Sequence, residues 1–290
     1  MPAKIYLYLD KYSGDFRAMP AYIEKLKRCV VKWVNVHPKN TKSGLPAVMA
    51  IIILSDPANG LPLCIMDGTY VTNIRTGAAG AVAAKFLAGR DSKIAGMVGC
   101  GAQARTQLLA LLEIFNIKKV KAWGRDRLGI NNFIKDMKLK GIEFVSAPDI
   151  KTCVTDSDIV VTTTPSRKPI VKLKWLKRGA HINAVGADAK GKQELEPEIL
   201  KKAKVVVDSW EQASHSGEIN VPLSKRMITE KDIYADIGEV VVGKKRGRAS
   251  RQELTVFDST GLAIQDLAVA DLIYKTAIKK NIGKWVDIIG

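Results

Sequence analysis

The residues best suited to chemistry fall in two groups. The first is Gly96-Met97-Val98-Gly99-Cys100-Gly101-Ala102-Gln103-Ala104, an apolar strand followed by Gly-x-Gly-x-x-Ala and a helix. Gly99 permits a tight turn, Gly101 lets the backbone approach a pyrophosphate, and Ala104 allows the helix to pack closely on a sheet. The helix start at Ala102 and Gln103 presents unpaired N–H groups to the phosphates. The next strand ends Ala122-Trp123-Gly124-Arg125-Asp126. Gly124 stands where an acid would take the ribose hydroxyls of NAD, and Arg125 follows it. A guanidinium there suits a 2′-phosphate, which leans the reading to NADP(H), whereas Asp126 as the ribose ligand would suit NAD.

Ligands of open parallel sheets bind beyond the carboxyl ends of the strands. That edge carries Thr162-Thr163-Thr164-Pro165-Ser166 and Val185-Gly186-Ala187-Asp188. Asp188 either caps a turn or binds an amine and exchanges its proton. The second group lies near the start of the chain, where Phe16-Arg17-Ala18-Met19-Pro20 and Val31-Lys32-Trp33-Val34 each set a cation among apolar neighbours. A buried cation is costly unless paired, so Arg17, Lys32 and Arg75 either sit in structural ion pairs or hold an anion. His37, beside Pro38 at a turn, reads as structural.

The elements that must position these residues follow from periodicity. Ile5 to Leu9, Phe16 to Tyr22, Cys29 to Val36, Val48 to Leu54 and Leu61 to Met66 read as short strands separated by turn signals, an antiparallel sheet or open barrel. An Ala- and Gly-rich helix is expected from about Asn73 to Ala88. From Lys93 strands alternate with helices, the pattern of a Rossmann-type doubly wound parallel sheet. Its expected strands are Ile94 to Val98, Val120 to Trp123, Phe144 to Ser146, Ile159 to Thr163, His181 to Val185 and Val205 to Asp208. Ser259 or Thr260 is expected to cap a last helix, about Leu262 to Lys280, that returns to the first domain. The expected division is residues 1–92 plus 257–290 for a smaller α+β substrate and dimerisation domain, and 93–256 for an inserted dinucleotide-binding domain.

A chain of 290 residues can bury two cores. No uncharged apolar run reaches the roughly 18 to 20 residues needed to cross a bilayer, so no membrane association is expected. The amino terminus lacks the pattern of a secretory leader, which points to the cytoplasm. The cysteines Cys29, Cys64, Cys100 and Cys153 form no Cys-x-x-Cys pair, which argues against disulfides and a thiolate metal site; no metal is expected. The net charge of +17 is densest at Lys244-Lys245-Arg246-Gly247-Arg248-Ala249-Ser250-Arg251. It reads as a solvated basic surface without a nucleic-acid partner, because no recognition motif accompanies it.

These segments, with Arg75-Thr76-Gly77-Ala78-Ala79, Ile182-Asn183-Ala184-Val185-Gly186-Ala187-Asp188 and Phe257-Asp258-Ser259-Thr260-Gly261-Leu262-Ala263, resemble the ornithine cyclodeaminase and mu-crystallin family, most closely its archaeal alanine dehydrogenase branch. The resemblance implies a homodimer built through the first domain. It implies that Arg17 and Arg75 bind a substrate carboxylate and that Lys32 acts as acid and base beside the reacting carbon. Asp188 would take a second polar role by the amine, and Asn183 to Gly186 with Ser259 to Gly261 would line a nicotinamide. The implied reaction is NAD(P)-dependent oxidation of a small L-amino acid, L-alanine first, to its keto acid and ammonia. Ornithine cyclodeaminase, a cyclic ketimine reductase and a non-catalytic NADP(H)-binding protein are the alternatives. The family opens with further helices before its first strand, and Gly124-Arg125 departs from its usual acid.

Overall fold

The computed structural model describes residues 1–287, which form two compact units, Met1–Arg75 with the segment from Leu262 onward, and Thr76–Gly261. The first unit is a five-stranded antiparallel sheet in chain order, β1 (Ile5–Leu9), β2 (Gly14–Ile23), β3 (Arg28–Val36), β4 (Val48–Ser55) and β5 (Pro62–Asp67). Each strand pairs with its chain neighbour because the connections are short turns and single 3-10 turns, which reverse the chain without a crossover. Alternation puts Met19, Ala21, Val30, Val34, Ile52 and Leu54 on one face. The last helix of the chain packs its Ala263, Leu267 and Ala270 against that face.

Helix α1 (Gly68–Leu87) follows β5 and contains the division between the units. It starts earlier than its Ala-rich composition suggests, because the Asp67 carboxylate accepts the Thr69 and Tyr70 N–H groups at 3.0 and 2.9 Å and caps the first turn.

The second unit continues as β6 (Ile94–Val98), α2 (Ala102–Leu112), β7 (Lys119–Trp123), α3 (Arg127–Met137), β8 (Glu143–Ser146), α4 (Ile150–Val154), β9 (Ile159–Thr162) and β10 (His181–Ala184). It closes with α5 (Pro197–Lys202), β11 (Lys204–Val207), α6 (Trp210–Ser216), α7 (Asn220–Ser224), β12 (Ile233–Asp236), α8 (Ile237–Val241) and β13 (Thr255–Asp258). Its eight strands are all parallel, in the order β12-β11-β13-β10-β9-β6-β7-β8. Strands β9, β10 and β13 are buried at every position, as the middle of a sheet covered on both faces requires, whereas β7 and β8 towards the edge carry Lys119, Lys121 and Glu143. Helix α9 (Ala263–Lys280) then completes the first unit.

Two sequence expectations change. The division falls at Arg75/Thr76 and Gly261/Leu262 rather than at 92/93 and 256/257. Ala83 and Leu87 of α1 pack with Val206 and Phe257, and β13 lies inside the parallel sheet between β10 and β11. Neither Ser259 nor Thr260 caps α9: the Leu262 N–H donates to the Gln265 side chain at 3.2 Å, and Thr260 bonds Asp208. Strands β12 and β13 did not stand out in the sequence.

Candidate functional site

In the first unit, β2 and β3 place three charged side chains on the apolar face. Asp15 and Arg17 share that face with Met19, and Lys32 with Val30 and Val34. Arg17 is held by Asp15 through Nε at 2.7 Å and Nη2 at 3.3 Å, with its guanidinium 5.0 Å from the Tyr6 ring centre. Lys32, only 1% exposed, sets Nζ 2.7 Å from Oδ2 of Asp266 on α9 and donates to the Thr72 hydroxyl at 3.3 Å. Arg75 donates Nε to the other Asp266 oxygen at 3.0 Å and Nη1 to Gln265 at 3.1 Å. The structure thus brings Lys32 and Arg75 together on one fully buried carboxylate. Arg17 is paired separately.

Lys4, also buried, adds its charge to the surroundings of Lys32. The first unit therefore buries four cations, Lys4, Arg17, Lys32 and Arg75, with Asp15 bonded to Arg17 and Asp266 to Lys32 and Arg75. That excess of positive charge suits a small anion, and the arginine fork matches the two oxygens of a carboxylate. Burial first and the neighbouring Arg75 second lower the Lys32 pKa to about 7, against the Asp266 charge, which raises it. An amine with that pKa both gives and takes a proton near neutrality. Asp266 was absent from the sequence reading. Its signal was an acid on the apolar stripe of the last helix, three residues after Ala263 and four before Ala270.

In the second unit, the strand order turns at β6 and β9, whose following loops diverge and open a crevice. A cavity of about 600 Å³ lies there, walled by Gly99, Gly101, Gly124, Arg125, Thr163, Thr164 and Pro165 among others. Gly99 has φ +113° and donates its N–H to the Trp123 carbonyl at 2.8 Å; a Cβ there would meet the Thr163 hydroxyl at 2.4 Å. A Cβ on Gly101 would meet nothing within 4 Å, so the backbone before α2 faces open space. Ala102 and Gln103 form the first turn of α2. These features fit a dinucleotide whose phosphates lie against that helix start. The Asp126 carboxylate caps α3 through the Gly129 N–H at 2.7 Å, while Arg125 stays exposed.

The remaining predicted residues stand at the same edge. Val185 donates its N–H to the Thr162 carbonyl, and Ser259 to that of Ala184, both at 2.9 Å. Gly261, with φ +81°, donates to Asp208 at 2.7 Å, and Asp188 pairs with Lys192.

The loops after β9 and β10 are tied together by a residue the sequence reading did not single out. Glu194 accepts the Thr164 N–H and hydroxyl, each at 2.7 Å, on one oxygen and the Gly186 N–H at 2.9 Å on the other. Burial pushes its carboxyl up, against these hydrogen bonds. Behind it, Glu218 accepts the Glu194 and Leu195 N–H groups at 2.9 and 2.6 Å and is held well above the usual carboxylate range by burial and by the Glu194 charge. Nothing in the sequence marks either residue, since Glu194 lies between Gln193 and Leu195-Glu196 and Glu218 between Gly217 and Ile219-Asn220.

The fold and the glycine bend define a dinucleotide-binding α/β protein of Rossmann type, joined to a sheet unit that holds a buried cationic cluster. Residues 1–281 match the model of the ornithine cyclodeaminase/mu-crystallin family. The chain is 52% identical over 285 residues to an alanine dehydrogenase of Archaeoglobus fulgidus, spanning 98% of this chain and 86% of the relative. Among solved structures it is similar to an archaeal alanine dehydrogenase dimer with bound NAD, with TM-score 0.95, 51% identity and coverage of 100% and 88% of the two chains. It is also similar to a Thermococcus litoralis Δ1-pyrroline-2-carboxylate reductase in complex with NADH and L-proline, with TM-score 0.96, 41% identity and coverage of 98% and 89%. The chain belongs to the ornithine cyclodeaminase/mu-crystallin family.

Proposed function

We propose that the protein is an NAD(P)-dependent amino-acid dehydrogenase converting a small L-amino acid, L-alanine first, to its keto acid. For alanine the balance is L-alanine, water and NAD(P)⁺ giving pyruvate, ammonium, NAD(P)H and one proton. The observation that carries the reading is Lys32, buried between Arg75 and Asp266 with its pKa brought to about 7. The relatives named above act on alanine and on a cyclic imino acid, substrates that share an α-carbon bearing nitrogen and a carboxylate.

A bound dinucleotide would supply the hydride acceptor and donor for the α-carbon. Arg17 and Arg75 supply charge-assisted donors to the substrate carboxylate and fix which bond of the α-carbon is presented. Neutral Lys32 takes a proton from the water that adds to the substrate imine, and Lys32 as ammonium returns one when the amine leaves. Asp188, paired with Lys192, offers a carboxylate to the substrate amine. On the cofactor side, Gly99, Gly101, Ala102 and Gln103 would hold the phosphates. Thr162 to Pro165, Val185, Gly186, Ser259 and Gly261 would line the nicotinamide end. With the Asp126 carboxylate committed to capping α3, Arg125 beside Gly124 favours NADP(H).

The test is the absorbance of reduced nicotinamide, with each cofactor, against pyruvate plus ammonia and against L-ornithine. Pyruvate- and ammonia-dependent oxidation, faster with NADPH than with NADH, is the expected result. Proline formed from ornithine without net cofactor change would replace the dehydrogenase reading with a cyclodeaminase. The four free cysteines suit the reducing cytoplasm.

The working form is a homodimer. The face of the five-stranded sheet turned away from α9 carries Trp33, Ile51 and Ile65, exposed by 44%, 52% and 53%. Trp33 pairs with Ile51 across β3 and β4, and Phe16 stacks on Trp33 at 5.1 Å, so the apolar surface is continuous. A second copy of that sheet has the matching chemistry. Ile51→Asp should convert the species seen by sedimentation velocity to monomer. A variant that sediments like the parent would remove this face from the interface.

A further inference from the structure

The basic stretch at 244–251 has no part in the reading above, and the fold gives it a place. The segments 89–92, 177–179 and 247–251 lead into β6, β10 and β13, and Asp158 stands immediately before β9. They therefore meet at the amino-terminal edge of the parallel sheet, opposite the edge that carries Gly99. With the end of α1 they enclose a cavity of about 630 Å³. That volume lies in the range of small-molecule sites.

The floor of this cavity is fixed. Arg248 donates Nε to the Leu87 carbonyl and Nη1 to that of Glu253, both at 2.6 Å, and Nη2 to the Thr255 hydroxyl at 3.1 Å. Gly247 lies so close to α1 that a Cβ would meet the Phe86 carbonyl at 2.4 Å. A Cβ on Gly179, whose φ is +79°, would meet that of Arg251 at 2.1 Å. Two glycines and one multiply bonded arginine thus draw the three segments into a set concave shape.

The rim is charged and unbalanced. Lys177 is neutralised by Asp158, whose other oxygen accepts the Lys93 and Ile94 N–H groups at 2.8 Å. Arg248 is committed to the carbonyls. Lys85, Arg90, Arg178 and Arg251 line the same hollow, and none of them pairs with a carboxylate among the described residues; Asp91 is the one further acid in the wall. Lys85 sits in the last turn of α1, where carbonyls favour a cation. Those of Phe86 and Leu87, however, are already taken by Arg248. Four like charges around one hollow repel each other, and an anion with several charges relieves that repulsion while bridging them.

We propose that this cavity is a second ligand site, separate from the glycine bend, which binds a small oligophosphate. The test is calorimetric titration of the whole protein with inorganic pyrophosphate, with and without saturating NADPH, at fixed ionic strength. One saturable site per chain should persist in the presence of NADPH. In Arg90→Ala/Arg178→Ala its Kd should rise at least tenfold. In Lys138→Ala/Lys140→Ala, which removes the same net charge from another exposed segment, it should change less than twofold. Binding that NADPH abolishes, equal weakening in both double variants, or no saturable binding to the parent would each overturn the proposal. The measurement reads binding alone, so a failed dehydrogenase assay leaves its outcome intact.

Discussion

Replacing Lys32 by Ala should lower turnover by about 10²–10⁴-fold, the range contributed by a positioned general acid–base, with cofactor affinity nearly unchanged. Lys32→Arg separates the two roles open to this residue. Arginine keeps the charge that binds a carboxylate but does not deprotonate, so substrate affinity should survive while turnover falls nearly as far as in the alanine variant. The pH profile carries the same information. Oxidation of the amino acid needs the neutral amine, so kcat/KM should rise with pH and level off above about 7; the reductive direction needs the ammonium and should fall through the same value. Asp266→Asn removes the charge that raises the Lys32 pKa and should move both inflections to lower pH. Turnover by Lys32→Ala at the parent rate would exclude Lys32 from the mechanism.

The second large effect is expected at Glu194. Removing its carboxylate with Glu194→Ala leaves the Thr164 N–H, the Thr164 hydroxyl and the Gly186 N–H without their acceptor. A buried donor left unsatisfied costs about 1–3 kcal/mol, so the unfolding free energy should drop by about 3 kcal/mol or more. The loops after β9 and β10 lose their common anchor, and the dissociation constant for NADPH, followed by tryptophan fluorescence, should rise at least tenfold. Glu194→Gln keeps one oxygen for Thr164 but turns an NH₂ group towards the Gly186 N–H, and should fall between the parent and Glu194→Ala. If cofactor affinity is unaltered in the alanine variant while stability drops, Glu194 supports the fold without positioning the cofactor loops.

Much of this architecture is legible in the sequence. The first five strands were placed within about two residues at either end, because Ser13-Gly14-Asp15, His37-Pro38 and Asp56-Pro57-Ala58-Asn59-Gly60 mark three of the four reversals. The glycine bend was legible because its three small residues are each required by local geometry. Strands β12 and β13 were not, since Ile233–Asp236 and Thr255–Asp258 are four residues long and lack alternation, and β13 runs straight into Ser259-Thr260-Gly261, which reads as the lead into the last helix. Lys32 and Arg75 were recognisable as costly if buried, but whether a partner awaited them depended on Asp266. An acid in a helix reads as surface until the fold shows which stripe it occupies. Glu194 was hidden for the same reason: its partners are backbone N–H groups, which every residue type offers and no sequence pattern marks.

The Arg75–Asp266 pair joins positions 191 residues apart, and helix α9 supplies the inner cover of the first sheet. During translation the strands that carry Arg17 and Lys32 leave the ribosome long before that cover exists. At about 5–20 residues per second the delay is on the order of ten to forty seconds. Throughout it the nascent sheet shows bare hydrocarbon and Lys32 has no counter-charge, so the half-made domain is a natural client for chaperones. A message cut short before the codon for Asp266 would yield a polypeptide able to complete its parallel sheet but not the buried cluster of Lys32, Arg75 and Asp266.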